Sequence, residues 1–106
     1  MIDYIYALVD PITNDVRYVG RTATPQARLR THLKKDKNKA KSAWVEDLLK
    51  KGLKPQMTIL DEAHGYAAVK LEDYWIHRMI DEGCDLFNLN YSGSEMRMTL
   101  NRKTPR

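Results

Sequence analysis

The segment from Gly65 to Glu82 constrains the fold of this chain most, because it has the periodicity of a long amphipathic helix. Its apolar residues recur every three or four positions and share one arc of a helical wheel at about 100° per residue. These residues are Ala68, Leu71, Trp75, Ile76, Met79 and Ile80. Polar residues fill the opposite arc, namely Lys70, Asp73, Tyr74, His77 and Asp81. The pattern predicts a single helix over this segment.

One carboxylate falls inside the apolar arc of this helix. Glu72 is flanked by Ala68, Trp75, Ile76 and Met79. Burying an ionised carboxylate is costly unless it is paired, hydrogen-bonded or bound to a metal. Glu72 therefore marks a candidate functional site, and the structural alternative is a buried glutamate that an arginine or a tyrosine satisfies.

Four other segments have the composition of extended structure. The first two run from Tyr4 to Val9 and from Val16 to Gly20, and the turn formers of Asp10 to Asp15 predict an antiparallel hairpin. Met57 to Leu60 is predicted as a third strand, and Cys84 to Asn90 as a short extended segment.

Two further helices are predicted between the hairpin and the third strand. Thr24 followed by Pro25 has the order of a side-chain cap and a first helical residue, and this helix is expected to run to about Lys35. The second helix is predicted from Ser42 to Lys51, with Gly52 just past its end.

Length and composition indicate one small globular domain. The chain has 106 residues, of which 42% are hydrophobic, and this size supports a single core without disulfide or metal staples. We expect the domain to occupy residues 1–93 and a basic tail, or the start of a linker, to occupy residues 94–106.

The cysteine content and the apolar runs indicate an intracellular protein. Cys84 is the only cysteine, so an intramolecular disulfide is excluded and a reducing, cytoplasmic compartment is expected. The apolar run from Ile5 to Val9 is too short for a signal peptide, and no stretch approaches the roughly 20 residues of a membrane span.

Basic residues are clustered rather than spread evenly. The net charge is +4, and five lysines crowd the region after the first helix, which we call the lysine segment: Lys34, Lys35, Lys37, Lys39 and Lys41. A second group lies in the tail, at Arg97, Arg102, Lys103 and Arg106. Such clusters are typical of a nucleic-acid partner, although solvated lysine loops are also common.

Strand alternation and helical spacing place several polar side chains near one another. Tyr6 lies on one face of the first strand, Tyr18 and Gly20 share a face of the second, and Arg28 and His32 are stacked neighbours four residues apart. Each residue taken alone has a structural explanation, such as packing or a snorkelling arginine stem.

Together, these residues follow the order of a known family. The segments Tyr4-Ile5-Tyr6, Tyr18-Val19-Gly20, Arg28 with His32, Glu72 and Asn88 make the region from Ile2 to Gly93 resemble the GIY-YIG nucleases. Two positions depart from the family pattern. Tyr4 stands where the first motif has glycine, and Ser92-Gly93 stands where many members have paired glycines.

The resemblance implies a fold and a metal requirement. The expected fold is of the α+β kind, a three-stranded antiparallel sheet flanked by helices. The implied reaction is hydrolysis of a DNA phosphodiester with one Mg²⁺ or Mn²⁺ ion, and Glu72 is then the protein ligand. A single carboxylate is consistent with Mg²⁺, which keeps several waters and takes few carboxylates.

The resemblance also implies roles for the other candidate residues. Arg28 would hold a phosphate oxygen, for which guanidinium geometry is suited. Tyr6 would be the general base or its partner, with His32 available as a relay, and Tyr18 would position the water or the phosphate. Asn88 would anchor a loop near Glu72. Arg21 and the lysine segment are the expected nucleic-acid contacts.

Other functions remain open from the sequence. One alternative is a catalytically inactive nucleic-acid-binding module of the same fold, and another is an interaction domain in which Arg28 neutralises Glu72. Zinc binding has no ligand spacing to support it. The chain shows no separate DNA-reading motif, so weak specificity, or specificity from a partner protein or a missing domain, is expected.

Overall fold

The computed structural model of the chain describes residues 1–88. They form strands β1 (Ile2–Val9), β2 (Val16–Thr22) and β3 (Gln56–His64) and helices α1 (Pro25–His32), α2 (Lys39–Lys50) and α3 (Gly65–Asp81). The strands make one antiparallel sheet in the order β2-β1-β3. The predicted α+β class with a three-stranded antiparallel sheet is therefore confirmed.

The hairpin of β1 and β2 follows the sequence prediction closely. The Asp10 carboxylate accepts hydrogen bonds from the backbone N–H groups of Ile12 and Thr13, at 2.7 and 3.2 Å. Asn14 has a φ of 67°, a left-handed conformation that asparagine tolerates. β3 extends further than predicted on both sides of Met57 to Leu60, because it pairs with β1 along the whole length of that strand.

The ends of α1 and α2 differ from the prediction. Helix α1 ends at His32 rather than near Lys35, and the Thr24 side chain makes no capping hydrogen bond, although Pro25 does begin the helix. Helix α2 begins at Lys39, three residues before Ser42, because the side chain of Asn38 accepts from the Lys41 backbone N–H. The connection between the two helices is therefore a compact turn at residues 33–38.

Helix α3 covers one face of the sheet and ends one residue before the predicted end at Glu82. It contacts all three strands. The core on this face is formed by Ile5, Val19, Ile76, Met79 and Leu86. The apolar arc of the sequence thus does face the core.

The segment after α3 has no regular secondary structure from Cys84 to Leu86, and its Phe87 backbone N–H donates to the Arg17 carbonyl at 2.7 Å. Residues 89 and 90 of the predicted extended segment, the Ser92-Gly93 departure, the boundary at residue 93 and the tail at 94–106 lie outside the described residues.

Among the helices of residues 1–88, none combines the length and the apolar character needed to cross a membrane.

Candidate active site

Two tyrosines and a glycine occupy the sheet face opposite α3. Tyr6 pairs with Gly20 across the β1–β2 ladder and Leu8 pairs with Tyr18, and directly paired residues share a face. The Tyr6 and Tyr18 ring centroids are 6.4 Å apart. A β-carbon added at Gly20 would lie only 2.5 Å from Cζ of Tyr6. Gly20 therefore makes the space into which the Tyr6 phenol extends.

His32 lies at the centre of this face and is almost completely buried. Its Nε2 atom is 2.6 Å from the hydroxyl oxygen of Tyr6. Its ring also contacts the Tyr18 ring edge-on, with centroids 5.2 Å apart. The imidazole of His32, one turn after Arg28 on the same helix, thus contacts the phenol of Tyr6 directly.

The other ring nitrogen of His32 has a partner that was not predicted. The Lys41 ammonium lies 2.8 Å from Nδ1 of His32 and 2.6 Å from a carboxylate oxygen of Asp36. Lys41 is only 2% exposed. Lys41 was expected to contact nucleic acid as part of the lysine segment, but it is buried, because α2 begins early enough to turn this residue inward. The other four lysines of the segment are exposed.

Arg28 stands on α1, one turn before His32, with its guanidinium beside both phenols. Its positive charge lowers the pKa of Tyr6 and of Tyr18, while burial raises both by more. The net result is a pKa for each tyrosine above the ordinary phenol value. The phenols in turn raise the pKa of Arg28, mainly through a hydrogen bond with Tyr6. Arg28 is itself exposed and can meet a ligand.

Burial lowers the pKa of His32 to about 4, and the neighbouring charges of Lys41 and Arg28 act in the same direction. The imidazole is therefore neutral at pH 7. A neutral imidazole has one N–H and one acceptor nitrogen, so its two hydrogen bonds have opposite directions.

A cleft of about 300 Å³ opens beside these groups. Its lining includes Tyr18, Arg28, His32, Asp36, Lys37 and Lys41. The lining combines the neutral imidazole of His32 with arginine and lysine side chains. These positive charges suit an anionic ligand such as a phosphate.

Glu72 occupies a different position from the one predicted. Its side chain is 27% exposed and accepts from Nε of Arg21 at 3.3 Å, and Arg21 also pairs with Asp3 at 3.2 Å. Glu72 is thus only partly buried although it lies inside the apolar arc, because the Arg21 guanidinium, rather than an apolar side chain, is its partner there. The suggested partner Arg28 is wrong, because Arg21 is the arginine that shares the α3 side of the sheet.

Glu72 still acts on the tyrosines electrostatically, since its charge raises the pKa of both Tyr6 and Tyr18. Arg21, which was expected to contact nucleic acid, is largely engaged with the carboxylates of Asp3 and Glu72. The charge that Arg21 offers to a phosphate is therefore partly compensated within the protein.

Asn88 anchors the segment after α3 to β2. Its side-chain oxygen accepts from the Val19 backbone N–H at 2.9 Å, and its side-chain nitrogen donates to the Val19 carbonyl at 2.8 Å. Arg17 adds a contact from the same strand, with its guanidinium 4.2 Å from the centroid of the Phe87 ring. The amide therefore supports β2 beside Tyr18 and Gly20 rather than the reacting groups.

Sequence reasoning missed two residues of this site, Asp36 and Asn38, and gave Lys41 a different role, that of a nucleic-acid contact. Asn38 was recognisable as a helix-capping residue, and Asp36 two positions earlier as a turn former. The burial of Lys41 had no signal of its own, because a lysine among four others has the pattern of a solvated segment.

The donor set around Glu72 restricts which metal ion could bind. Within residues 1–88, no cluster of three or more His, Cys, Asp or Glu side chains is arranged to hold a metal. A lone, partly exposed carboxylate fits an ion that completes its coordination with water and phosphate oxygens, as Mg²⁺ does. It does not fit the four protein ligands of structural zinc.

The family assignment agrees with this geometry. The GIY-YIG catalytic domain matches residues 3–79 of the chain, a region that contains every candidate catalytic residue except Asn88. The chain belongs to the GIY-YIG family, and the match indicates a nuclease-type function in general. No curated protein and no solved structure matches the chain.

Proposed function

We propose that this protein is a divalent-metal-dependent endonuclease that hydrolyses DNA phosphodiester bonds, with weak or partner-supplied sequence specificity. The observation that carries the proposal is the 2.6 Å contact between Tyr6 and His32 beside the Arg28 guanidinium, at the edge of a cleft in a GIY-YIG domain. This arrangement brings groups that can transfer a proton next to a group that can bind a phosphate.

Arg28 binds the scissile phosphate in this mechanism. Its guanidinium is always charged, and its planar donors match two phosphate oxygens. Because Arg28 also faces Tyr6 and Tyr18, a phosphate held by it lies against the two phenols. Tyr18, on the neighbouring strand, orients the phosphate or the attacking water.

Tyr6 acts in its phenolate form: its oxygen accepts the proton of the attacking water, and Tyr6 becomes a neutral phenol. Burial opposes the phenolate that this step requires, and Arg28 favours it. The neighbouring His32 imidazole is neutral, so it supports the phenol through a hydrogen bond rather than through a charge.

Glu72 would hold the Mg²⁺ or Mn²⁺ ion. A bound ion would stabilise the charge that develops on the phosphate and on the leaving oxygen. One oxygen of this carboxylate, Oε1, accepts a hydrogen bond from Arg21, so an ion that uses this oxygen would displace the arginine. Such partly exposed pairs contribute about 0–1 kcal/mol, so this exchange is energetically accessible.

The test is single-turnover cleavage of plasmid, branched DNA and RNA, with and without Mg²⁺. We expect the wild-type protein to cleave or nick DNA only with the metal, and Glu72→Gln to lose cleavage while keeping its melting temperature within a few degrees. Glu46→Gln, at an exposed glutamate of α2, is the matched control and should cleave normally. Full cleavage by Glu72→Gln would end the assignment of Glu72 as the metal ligand.

The second candidate function is an inactive nucleic-acid-binding module. The ion pair of Arg21 with Glu72 favours it, because this pair occupies the proposed metal ligand with an internal cation. Salt-sensitive DNA binding by the wild-type protein, with no cleavage of any substrate in Mg²⁺ or Mn²⁺, would select this function.

A further inference from the structure

Lys41 is a buried lysine that the proposed mechanism does not use. Charged lysines are almost never fully buried unless they are paired, and Lys41 is paired twice, with Asp36 at 2.6 Å and with His32 at 2.8 Å. The two contacts differ in kind, since one partner is a carboxylate and the other a neutral imidazole nitrogen. The contact with Asp36 holds the Lys41 ammonium in place. The contact with His32 connects this ammonium to the candidate active site.

The pairing with Asp36 determines the direction of the hydrogen bond to His32. An ammonium group has three donors and no acceptor, and the adjacent carboxylate keeps Lys41 in that form. Nδ1 of His32 must therefore be the acceptor, and in a neutral ring the proton then lies on Nε2. The position of the His32 proton is assigned here from the hydrogen-bond partners of the ring, since the heavy atoms alone do not give it.

The tautomer in turn determines how Tyr6 is bonded. Nε2–H donates to the phenol oxygen, which lies 2.6 Å away, so the phenol is an acceptor towards His32. The Arg28 guanidinium also faces this phenol, and a guanidinium has donors only. The hydroxyl hydrogen of Tyr6 therefore has neither residue as its acceptor and is left for a third partner. A hydrogen bond donated to the charged form of an acid favours that form.

The opposite tautomer would have the opposite effect. With the proton on Nδ1, Nε2 would accept the Tyr6 hydroxyl hydrogen and would stabilise the neutral phenol. The same four residues at the same distances would then favour the neutral phenol over the phenolate that the proposed step requires.

We propose that Lys41, held by Asp36, is a positioning residue that fixes His32 with its proton on Nε2 and thereby keeps the Tyr6 oxygen as a hydrogen-bond acceptor. This role rests on the proposed nuclease function. Lys41 acts through His32 and does not touch the DNA, so its contribution differs in kind from that of the exposed lysines.

The first part of the test is a measurement of the tautomer by ¹⁵N-imidazole NMR at about pH 8, with His32→Gln used to assign the signal. We expect Nδ1 to be unprotonated and Nε2 protonated in the wild-type protein. Lys41→Met removes the donor at similar length, so Nδ1 should gain a proton in a large fraction of molecules. A protonated Nδ1 in the wild-type protein, or an unchanged ring in Lys41→Met, would overturn the proposal.

The second part is single-turnover cleavage at saturating DNA, together with the Kd for DNA. We expect Lys41→Met to lower the rate by at least about tenfold, a part of the roughly 10²–10⁴ that a general base contributes, with Kd within about threefold. Lys41→Arg keeps a charged donor and should recover the tautomer and most of the rate. Lys50→Met, at an exposed lysine at the other end of the same helix, is the matched control and should keep both.

A wild-type rate in Lys41→Met despite an altered tautomer would also overturn the role. If the wild-type protein itself fails to cleave, the nuclease proposal and the role of Lys41 in the reaction both fail. The NMR result then still decides separately whether Lys41 sets the proton position on His32.

Discussion

At the scale of single residues, the chemistry of this domain depends on groups whose surroundings change their ordinary behaviour. Tyr6 is fully buried, Arg28 is exposed, and His32 lies between the cleft and the core. The types and spacing of these three residues were predictable from the sequence. Their direct contacts were not, because a contact across two strands and a helix depends on where α1 begins and ends.

Removal of the Tyr6 hydroxyl or of the Arg28 guanidinium should impair cleavage rather than DNA binding. We expect Tyr6→Phe and Arg28→Ala each to lower the single-turnover rate by at least about a hundredfold, since one transition-state donor contributes about 10²–10³. The Kd for DNA should change by no more than a few fold. Tyr66→Phe and Arg30→Ala, at exposed positions, serve as controls. Losses of binding in proportion to activity would make both residues binding groups instead.

Burial of the His32 imidazole should make the domain sensitive to acid. The pKa of His32 falls from 6.5 to about 4 on folding, so the unfolded chain binds a proton that the folded protein does not. The free energy of unfolding should therefore be unaffected above about pH 7 and should decrease as the pH falls from 6.5 towards 4. The total loss is of the order of 3 kcal/mol, at 1.36 kcal/mol per pKa unit.

Urea denaturation at several pH values measures this dependence, and His32→Gln is the comparison. The variant should lose most of the slope between pH 6.5 and 4, whatever its stability at neutral pH. Asp10 and Asp36 have lowered pKa values, so the stability that they contribute is present above about pH 4 and is lost below it. An equal slope in the variant would show that His32 is not the group responsible.

At the scale of secondary structure elements, the sequence predicted which elements form better than where they end. The long helix α3 was predictable because its apolar period extends from Ala68 to Ile80, which is more than three turns. Helix α2 begins earlier than predicted because the Asn38 cap outweighed the apolar pattern that starts near Ser42. The partial exposure of Glu72 was not predictable, since a helical wheel places it inside the apolar arc and does not show that Arg21 of β2 lies beside it.

The pairing of β1 with β2 predicts a strict requirement at Gly20. Gly20→Ala would place a β-carbon against the Tyr6 ring, and overpacking of this kind costs about 1–3 kcal/mol. We expect that loss in urea denaturation, together with loss of cleavage as the phenol is displaced from His32. The double variant Gly20→Ala with Tyr6→Leu removes the ring and should recover the stability that the alanine costs. Simple additivity of the two changes would contradict the proposed clash.

At the scale of the whole molecule, exposed positive charge is clustered in the segment that follows α1. Lys34, Lys35, Lys37 and Lys39 are exposed next to the cleft that Arg28 lines. The composition predicted this basic surface, but only the structure separates Lys41 from it. The tail at Arg97, Arg102, Lys103 and Arg106 lies outside the described residues, and its role stays a prediction.

The exposed lysines should determine the salt dependence of DNA binding. Each phosphate neutralised on duplex DNA contributes about −0.9 to the slope of log affinity against log salt. Changing Lys34, Lys35 and Lys37 to Gln should flatten that slope by about two to three units for all sequences alike, with cleavage at saturation nearly unchanged. Fluorescence anisotropy titrations over a range of salt concentrations measure it.

The control for this experiment removes the same charge elsewhere. Lys50, Lys51 and Lys54 are exposed at the other end of α2, about 16 Å away by the rise of a twelve-residue helix. Changing these three to Gln should leave the slope within about one unit of the wild-type value. An equal effect of both triple variants would show that only the net charge matters.

The two hydrogen bonds of Asn88 to Val19 also affect whether strand β2 can pair with a strand of another molecule. Within the described sheet, β2 is an outer strand, and an outer strand presents backbone groups with which another chain can pair. The Asn88 amide supplies Val19 with one donor and one acceptor, the same pair that a residue of an adjoining strand would supply. A single side chain thus imitates one rung of a fourth strand, and at that rung β2 is closed to intermolecular strand addition.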